Sequence, residues 1–129
     1  MYKGDRVMNT LQDLIKKYAA QYKEQVVAWR RHIHSHPELS GEEKNTSLFI
    51  QKVLGELGIP FVNDVSDYAV IGKIEGAQPG PVIALRADID ALPIHETTGL
   101  PFASEYDGVM HACGHDSHIA ILLGAAAIL

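Results

Sequence analysis

The sequence has very little cysteine, and its single thiol, Cys113, cannot form a disulfide within the chain. A lone cysteine is typical of proteins kept in a reducing compartment, so we expect a cytoplasmic protein. Basic residues are also scarce, since 11 lysines and arginines face 16 acidic residues and leave a net charge of −5. That balance lacks the positive surface with which proteins bind nucleic acid or anionic membranes, so neither is an expected partner.

Long hydrophobic runs are absent as well. The longest, residues 119–129, is too short to span a bilayer and instead predicts a helix buried against a sheet. Because this run stops without a capping residue, we expect the chain to be the front part of a longer protein. The sequence also lacks a phosphate-binding glycine loop and a Gly-x-Ser-x-Gly elbow, so neither nucleotide binding nor that class of serine hydrolase is indicated.

Two amphipathic helices are predicted in the first half of the chain. The first begins at a cap formed by Asn9 and Thr10 and ends near His34, because the residue before Pro37 avoids helical backbone. Its apolar face repeats with a helical period and consists of Leu11, Leu14, Ile15, Tyr18, Tyr22, Val26, Trp29 and Ile33.

The second helix follows Ser40, which stands in capping-box spacing with Glu43. Gly58 and Pro60 are predicted to end it. The predicted inner face of this helix is Leu48, Phe49, Val53, Leu54 and Leu57.

Short strands are predicted after the second helix. Residues 61–65 can form one, and residues 68–75 and 81–87 are predicted to form a hairpin across the turn sequence GAQPG at 76–80. The run VIAL at 82–85 is apolar on both faces, which favours a central strand covered by helices. Together the elements predict an α/β fold.

The densest group of chemically active residues lies at 110–118, MHACGHDSH, which contains the only cysteine and three of the seven histidines. Cys113 and His115 stand two apart across Gly114, and in extended or turning backbone such residues point to one side. The pattern becomes helical from Ser117, so both residues are expected in the loop before that helix. Thiolate and imidazole together suit zinc or another divalent first-row metal. The alternative is a small buried thiol among unrelated histidines. We interpret His111 and His118 as supporting groups and not as ligands.

Asp88 and Asp90 follow the apolar run at the edge where open α/β sheets bind their ligands. Either carboxylate could hold a ligand histidine or bind metal, or the pair could form a solvated turn. Arg86 could neutralise one of them or face solvent. Residues 91–112 then form a long irregular loop, which would bring Cys113 and His115 back beside the two aspartates.

A second cluster of histidines, His32, His34 and His36, precedes Pro37. Only His32 and His36 would share a helical face, and the proline disturbs the geometry there. We therefore interpret all three as polar residues at a helix boundary and not as a second metal site.

Four motifs in order now support a resemblance: RHIHSHPELS at 31–40, ALRADIDALP at 84–93, TGLPFA at 98–103 and GVMHACGHD at 108–116. They closely resemble the amidohydrolase branch of the aminoacylase and carboxypeptidase metallopeptidase family, which includes hippurate hydrolases, N-acyl-amino-acid amidohydrolases and auxin-conjugate hydrolases. The match runs from about residue 25 to the end of the chain.

The resemblance implies the N-terminal part of a zinc-peptidase-like, three-layer α/β/α catalytic domain: two helices, then strands, then a buried C-terminal helix. Residues 1–129 would form one part of this domain, and the rest of it and a lid or dimerisation domain would be absent. The implied reaction is metal-dependent hydrolysis of N-acyl amino acids at a centre of two divalent ions (zinc, manganese or cobalt), often in a homodimer.

The resemblance also assigns roles to individual residues. Cys113 and His115 match metal ligands of the family, and Asp90 matches an aspartate that supports the centre by orienting a ligand. Asp88 stands where related peptidases carry a metal-binding histidine, so no ligand role is transferred to it. Family members place the catalytic glutamate and further ligands later in the chain, so residues 1–129 alone would be inactive, because a catalytic zinc usually needs three protein ligands.

Two other functions remain open on the sequence. One is a non-catalytic metal-binding or interaction module that pairs with another chain. The other is a cysteine hydrolase in which Cys113 is the nucleophile and His115 or His118 the base.

Overall fold

A computed structural model describes residues 3–129 of the chain. It contains three helices, α1 (Lys3–Ser35), α2 (Lys44–Glu56) and α3 (His115–Ile128), and two short strands, β1 (Phe61–Val62) and β2 (Ile71–Gly72). The strands pair antiparallel, with Phe61 opposite Gly72. Helices and a small sheet confirm the predicted α/β class.

Helix α1 is longer than predicted. It begins at Lys3, so Asn9 and Thr10 lie inside the helix and the cap expected from them is wrong. Its end was predicted correctly, because the chain turns before Pro37, where the backbone N–H of His36 donates to the carbonyl of Ile33 at 3.2 Å. Of the predicted apolar face, only the C-terminal part packs into the core, through Trp29, Ile33 and the partly buried Val26.

Helix α2 is capped by a different residue from the one predicted. Ser40 and Glu43 form no capping box, since Glu43 makes no side-chain cap hydrogen bond. The carboxylate of Glu38 caps the helix from outside it, accepting from the backbone N–H groups of Asn45 at 3.0 Å and Thr46 at 2.7 Å. Partial burial raises the pKa of Glu38, but these hydrogen bonds outweigh it and leave the pKa lowered.

The inner face of α2 was predicted with one error. Val53 and Leu54 are buried in the core, and Phe49 and Leu57 pack against it. Leu48 is exposed instead. The helix ends as expected, because Gly58 takes a left-handed conformation with φ of 70° and donates to the carbonyl of Gly55.

Helix α3 packs on α1 and forms the other half of the core. Asp116 contacts Arg30 at one end of the pair of helices, and Gly124 contacts Val26 at the other, so the two helices run in opposite directions. A Cβ atom at Gly124 would lie 2.8 Å from Cγ2 of Val26, which shows how closely the helices approach. Ile119, Ala120 and Leu123 are the buried apolar residues of α3.

The hairpin predicted between residues 68–75 and 81–87 is wrong. β2 pairs with β1 and not with the later segment. Residues 82–85 form no strand and are exposed, with Val82 at 98% and Ile83 at 80%. An apolar run becomes a covered strand only beside a neighbouring strand, and residues 3–129 supply none at this point.

The long loop at 91–112 is irregular, as predicted, and two isolated bridges fix its start. Ala91 bridges Leu39 in parallel, and Leu92 bridges Met110 in antiparallel fashion. The second bridge joins the two ends of the loop, so the segment before α3 returns to the residues that follow Asp90. No helix in the part of the chain that the structure describes is long and apolar enough to cross a membrane.

Candidate metal centre

The residues predicted to bind metal lie where the irregular loop enters α3. Cys113 is an exposed, free thiol in the turn before the helix. Gly114 takes a left-handed conformation with φ of 93°, which a residue with a side chain rarely adopts. The chain therefore bends sharply between Cys113 and His115, as the glycine predicted.

Helix α3 begins earlier than expected. The sequence predicted helical structure from Ser117, with both Cys113 and His115 in the preceding loop, whereas His115 is the first residue of α3. Gly114 supplies the N-cap without a side chain, and its carbonyl accepts from the N–H groups of Ser117 at 3.0 Å and His118 at 3.2 Å. Only Cys113 is thus a loop residue, and the backbone of His115 belongs to the first turn of α3.

His115 is oriented by Asp90. The Nδ1 atom of His115 lies 2.9 Å from the Asp90 carboxylate oxygen Oδ1 and 3.0 Å from the Asp90 backbone carbonyl. Both partners are acceptors, so we assign the proton of the neutral ring to Nδ1. That tautomer leaves the lone pair of Nε2 free, which is the form of histidine that binds a metal.

Asp88 does not take part in this contact. Its carboxylate pairs with Arg86, whose Nη2 lies 2.6 Å from Oδ1, and both side chains are largely exposed. The two aspartates at the end of the apolar run therefore have different environments, although their spacing in the sequence gave them the same candidate roles.

The other two histidines of the motif differ sharply in exposure. His118 is exposed and its ring lies 5.7 Å from that of His115. His111 is 3% exposed, and neither ring nitrogen has a hydrogen-bond partner. Burial lowers the pKa of His111 to about 4 despite the opposing effect of the negative charge of Asp116, so the ring is neutral at neutral pH.

The donor atoms fit a divalent metal in kind but not in number. Thiolate sulfur and imidazole nitrogen are ligands for zinc and its first-row neighbours. Among residues 3–129, however, no three histidine, cysteine, aspartate or glutamate side chains are grouped so as to hold an ion. Cys113 and His115 can therefore supply at most part of a coordination shell.

Sequence reasoning missed a buried charged network behind His115. Asp116 is completely buried, and its Oδ2 lies 2.7 Å from His34 Nδ1 and 2.7 Å from Arg30 Nε. The Arg30 contact is an ion pair only, because its N–H does not point along a hydrogen bond. His34 Nε2 in turn lies 3.2 Å from Glu96 Oε1.

This network corrects the interpretation of the histidine triplet. His34 is buried and bridges two carboxylates, so it is not a boundary residue. His32 and His36 do behave as expected, since their rings lie 4.5 Å apart at the end of α1. The sequence did hold one indication, because Arg30 and His34 are one turn apart beside the apolar residues Trp29 and Ile33.

The known proteins that this chain resembles belong to the kind of enzyme that the four motifs indicated. Residues 84–129 match peptidase family M20/M25/M40. The chain is 56% identical to N-acetyl-L-cysteine deacetylase of Bacillus subtilis, in a match that covers 81% of this chain and 25% of that protein. It is 48% identical to an N-acyl-L-amino acid amidohydrolase of Geobacillus stearothermophilus, over 88% of this chain and 31% of that protein.

A solved structure extends the likeness to the fold. The crystal structure of a dinuclear metal-binding peptidase of the M20 family from Bacillus subtilis superposes with a TM-score of 0.82 at 48% identity, covering 85% of this chain and 31% of that one. The resemblance expected from the motifs is thus confirmed. The chain spans only 25% to 31% of the length of these proteins.

Proposed function

With this resemblance to peptidase family M20/M25/M40 as the premise, we propose that residues 1–129 form the N-terminal part of the catalytic domain of a metal-dependent amidohydrolase. The complete protein hydrolyses the amide bond of N-acyl amino acids, giving a carboxylic acid and a free amino acid. Relatives named for this reaction support the substrate class. A hippurate-hydrolase type of substrate, in which the acyl group is aromatic, falls within the proposal.

The proposal depends on one observation. Asp90 holds His115 through Nδ1 and leaves its Nε2 free, and the exposed thiol of Cys113 stands two residues before His115 in the sequence. In this proposal Cys113 and His115 are ligands of a centre of two divalent ions, zinc, manganese or cobalt. Asp90 is a positioning residue, which fixes the tautomer and the direction of the His115 ring.

The metal centre would supply Lewis acidity, lowering the pKa of a water molecule and polarising the scissile carbonyl. The part played by this chain is to present a thiolate and an imidazole on a rigid turn. The left-handed Gly114 and the first turn of α3 restrict both donors to a narrow range of positions. A fixed donor pair loses little conformational entropy when an ion binds.

Residues 1–129 lack part of the catalytic machinery that this reaction needs. Two ligands are fewer than the three that a catalytic zinc usually has, so the remaining ligands and a glutamate for proton transfer must come from later in the longer protein. Residues 1–129 by themselves are therefore inactive. The complete protein is proposed to be a cytoplasmic homodimer that binds neither nucleic acid nor membrane.

One observation favours a second candidate, a truncated metal-binding or interaction module. Val82, Ile83 and Leu85 form an exposed apolar segment, the kind of surface that another chain could cover. The amidohydrolase candidate predicts amide hydrolysis by the longer protein, whereas the interaction module predicts none.

The test uses the full-length protein and N-acetyl or N-benzoyl amino acids as substrates. Under the proposal, a chelator abolishes release of the free amino acid, and adding back zinc, manganese or cobalt restores it. Activity that survives the chelator but disappears on alkylation of Cys113 would establish the cysteine hydrolase instead. A full-length protein inactive with every metal and substrate would favour the interaction module.

A further inference from the structure

The buried network behind His115 joins three separate segments of the chain. Asp116 belongs to α3, Arg30 and His34 to α1, and Glu96 to the long loop at 91–112. Asp116 is directly bonded to His115, one of the two proposed metal ligands. The network is therefore connected to the candidate centre through the backbone.

The contacts within the network have clear directions. The 2.7 Å separation of His34 Nδ1 and Asp116 Oδ2 is the shortest that the ring makes, so we assign the Nδ1 proton to that bond. An Arg30 nitrogen also lies 3.3 Å from Nδ1, but both groups then carry hydrogens and cannot bond to each other. Nε2 faces Glu96 Oε1 at 3.2 Å, and because a carboxylate only accepts, this contact is a hydrogen bond when Nε2 also carries a hydrogen and donates it.

The contacts of Asp116 restrict its position because the residue is buried. Asp116 is 0% exposed, and a buried carboxylate without partners is strongly destabilised, so its position follows that of its partners. Because Asp116 and His115 are the first two residues of α3, a shift of one carries the other with it. Fixing the Asp116 carboxylate therefore fixes the start of the helix that presents His115.

The loop is attached to the same histidine. Glu96 accepts from the backbone N–H of Ser104 at 2.7 Å and from the hydroxyl of Thr98. Burial raises the pKa of Glu96, but these bonds and His34 outweigh it and leave the pKa lowered, which keeps the carboxylate charged. The loop that leads to Cys113 is thus organised around a group that His34 contacts.

We propose that His34 is a positioning residue that, through Asp116, holds the start of α3 in the orientation that lets Cys113 and His115 bind one metal ion. This inference rests on the proposed function, because it assumes that these two residues are ligands. It assigns the histidine motif before Pro37 a role that the sequence did not reveal. We expect the contact of His34 with Asp116 to affect metal binding more than its contact with Glu96. Asp116 is the neighbour of His115, whereas Glu96 lies far from Cys113 along the chain.

Two substitutions separate the contact of His34 with Asp116 from its contact with Glu96. The amide nitrogen of asparagine occupies nearly the position of Nδ1, so His34→Asn keeps the bond to Asp116 and loses the one to Glu96. The longer glutamine mimics Nε2, so His34→Gln keeps Glu96 and loses Asp116. A control, His36→Asn, alters a ring whose polar partners are the His32 carbonyl, the Ser35 hydroxyl and the Glu105 carboxylate, none of which belongs to the network.

The measurement is titration of the metal-free full-length protein with cobalt(II), followed through the thiolate-to-cobalt absorption band of Cys113. We expect His34→Gln to weaken cobalt binding about tenfold, in the range seen when groups that support metal ligands are removed. His34→Asn and His36→Asn should bind cobalt within about twofold of the wild type, since neither breaks the bond that orients the ligands. Thermal unfolding, measured on the same proteins, separates loss of stability from loss of affinity.

Unchanged cobalt affinity in His34→Gln, with a lower melting temperature, would give His34 a purely structural role and overturn the inference. Should His34→Gln fail to fold, Asp116→Asn takes its place, because it keeps the side-chain shape and weakens the contacts to Arg30 and His34; unchanged affinity there has the same meaning. If Cys113→Ser leaves the wild-type absorption band intact, the proposed metal ligands themselves are wrong, which is a separate failure.

Discussion

The ring of His115 is fixed by Asp90 through two acceptors, the carboxylate Oδ1 at 2.9 Å and the backbone carbonyl at 3.0 Å, both facing Nδ1. The two residues are 25 positions apart in the sequence. The antiparallel bridge between Leu92 and Met110 brings them together by joining the ends of the intervening loop. A histidine held in this way offers Nε2, and only Nε2, to a metal.

Asp90→Asn is predicted to weaken metal binding without removing a ligand. The amide is a weaker acceptor than the carboxylate and can turn its NH₂ group toward the ring, so the Nδ1 tautomer is no longer enforced. We expect a loss of about tenfold to a hundredfold in metal affinity, measured by competition with a chromogenic chelator. Asp88→Asn is the matched control, since Asp88 contacts Arg86 and not His115; an equal loss in both variants would contradict the role given to Asp90.

Glu38→Gln is predicted to destabilise the protein through helix α2. The amide cannot accept all the hydrogen bonds that the carboxylate accepts from Asn45 and Thr46, so we expect a loss of about 1 kcal/mol in the free energy of unfolding. Glu42→Gln, at an exposed position nearby, should change nothing.

The effect of Glu38 should depend on pH. Because its pKa is lower in the folded state than the ordinary value of 4.5, its contribution is complete above that value and is lost as the pH falls through the folded pKa. Chemical unfolding measured at neutral and acidic pH should therefore show the difference between wild type and Glu38→Gln shrinking in acid. A difference that grew in acid would contradict this account of the cap.

Gly124→Ala is predicted to push α3 away from α1. The added methyl group would lie 2.8 Å from Cγ2 of Val26, a stiff β-branched side chain, and such overpacking costs about 1–3 kcal/mol. Gly55→Ala in α2 is the control, because its methyl group meets nothing within 4 Å and should stabilise the helix by about 1 kcal/mol. Thermal unfolding distinguishes the two, and equal shifts of the same sign would mean that the helices are not in close contact.

The sequence correctly predicted the bend at Gly114 and the approach of His115 to Asp90, whereas several elements of the fold around them differ from the prediction. Cys113, Gly114 and His115 could be interpreted locally, because their spacing and the glycine restrict the backbone whatever surrounds them. The start of α3 was misplaced by two residues because Gly114 caps the helix through its backbone alone, which leaves no side-chain mark in the sequence.

Features that depend on distant partners could not be predicted. The apolar run at 82–85 has the composition of a covered strand, but whether a strand forms depends on a neighbouring strand that residues 3–129 do not provide. The role of His34 depends on Asp116, 82 residues further along the chain, and on Glu96. The alternation of the histidines before Pro37 does not by itself distinguish the buried one, and only the position of His34 one turn after Arg30 and beside Ile33 indicates it.

The most direct test of the central claim is the metal content of the full-length protein, measured by elemental analysis after purification, in wild type, Cys113→Ser and His115→Ala. We predict that both variants lose bound metal relative to the wild type, whereas the control His118→Ala, which alters an exposed ring beside His115, keeps it. Cys113→Ser and His115→Ala proteins that are folded and carry the wild-type amount of metal would contradict the claim that this thiolate and this imidazole bind the ion.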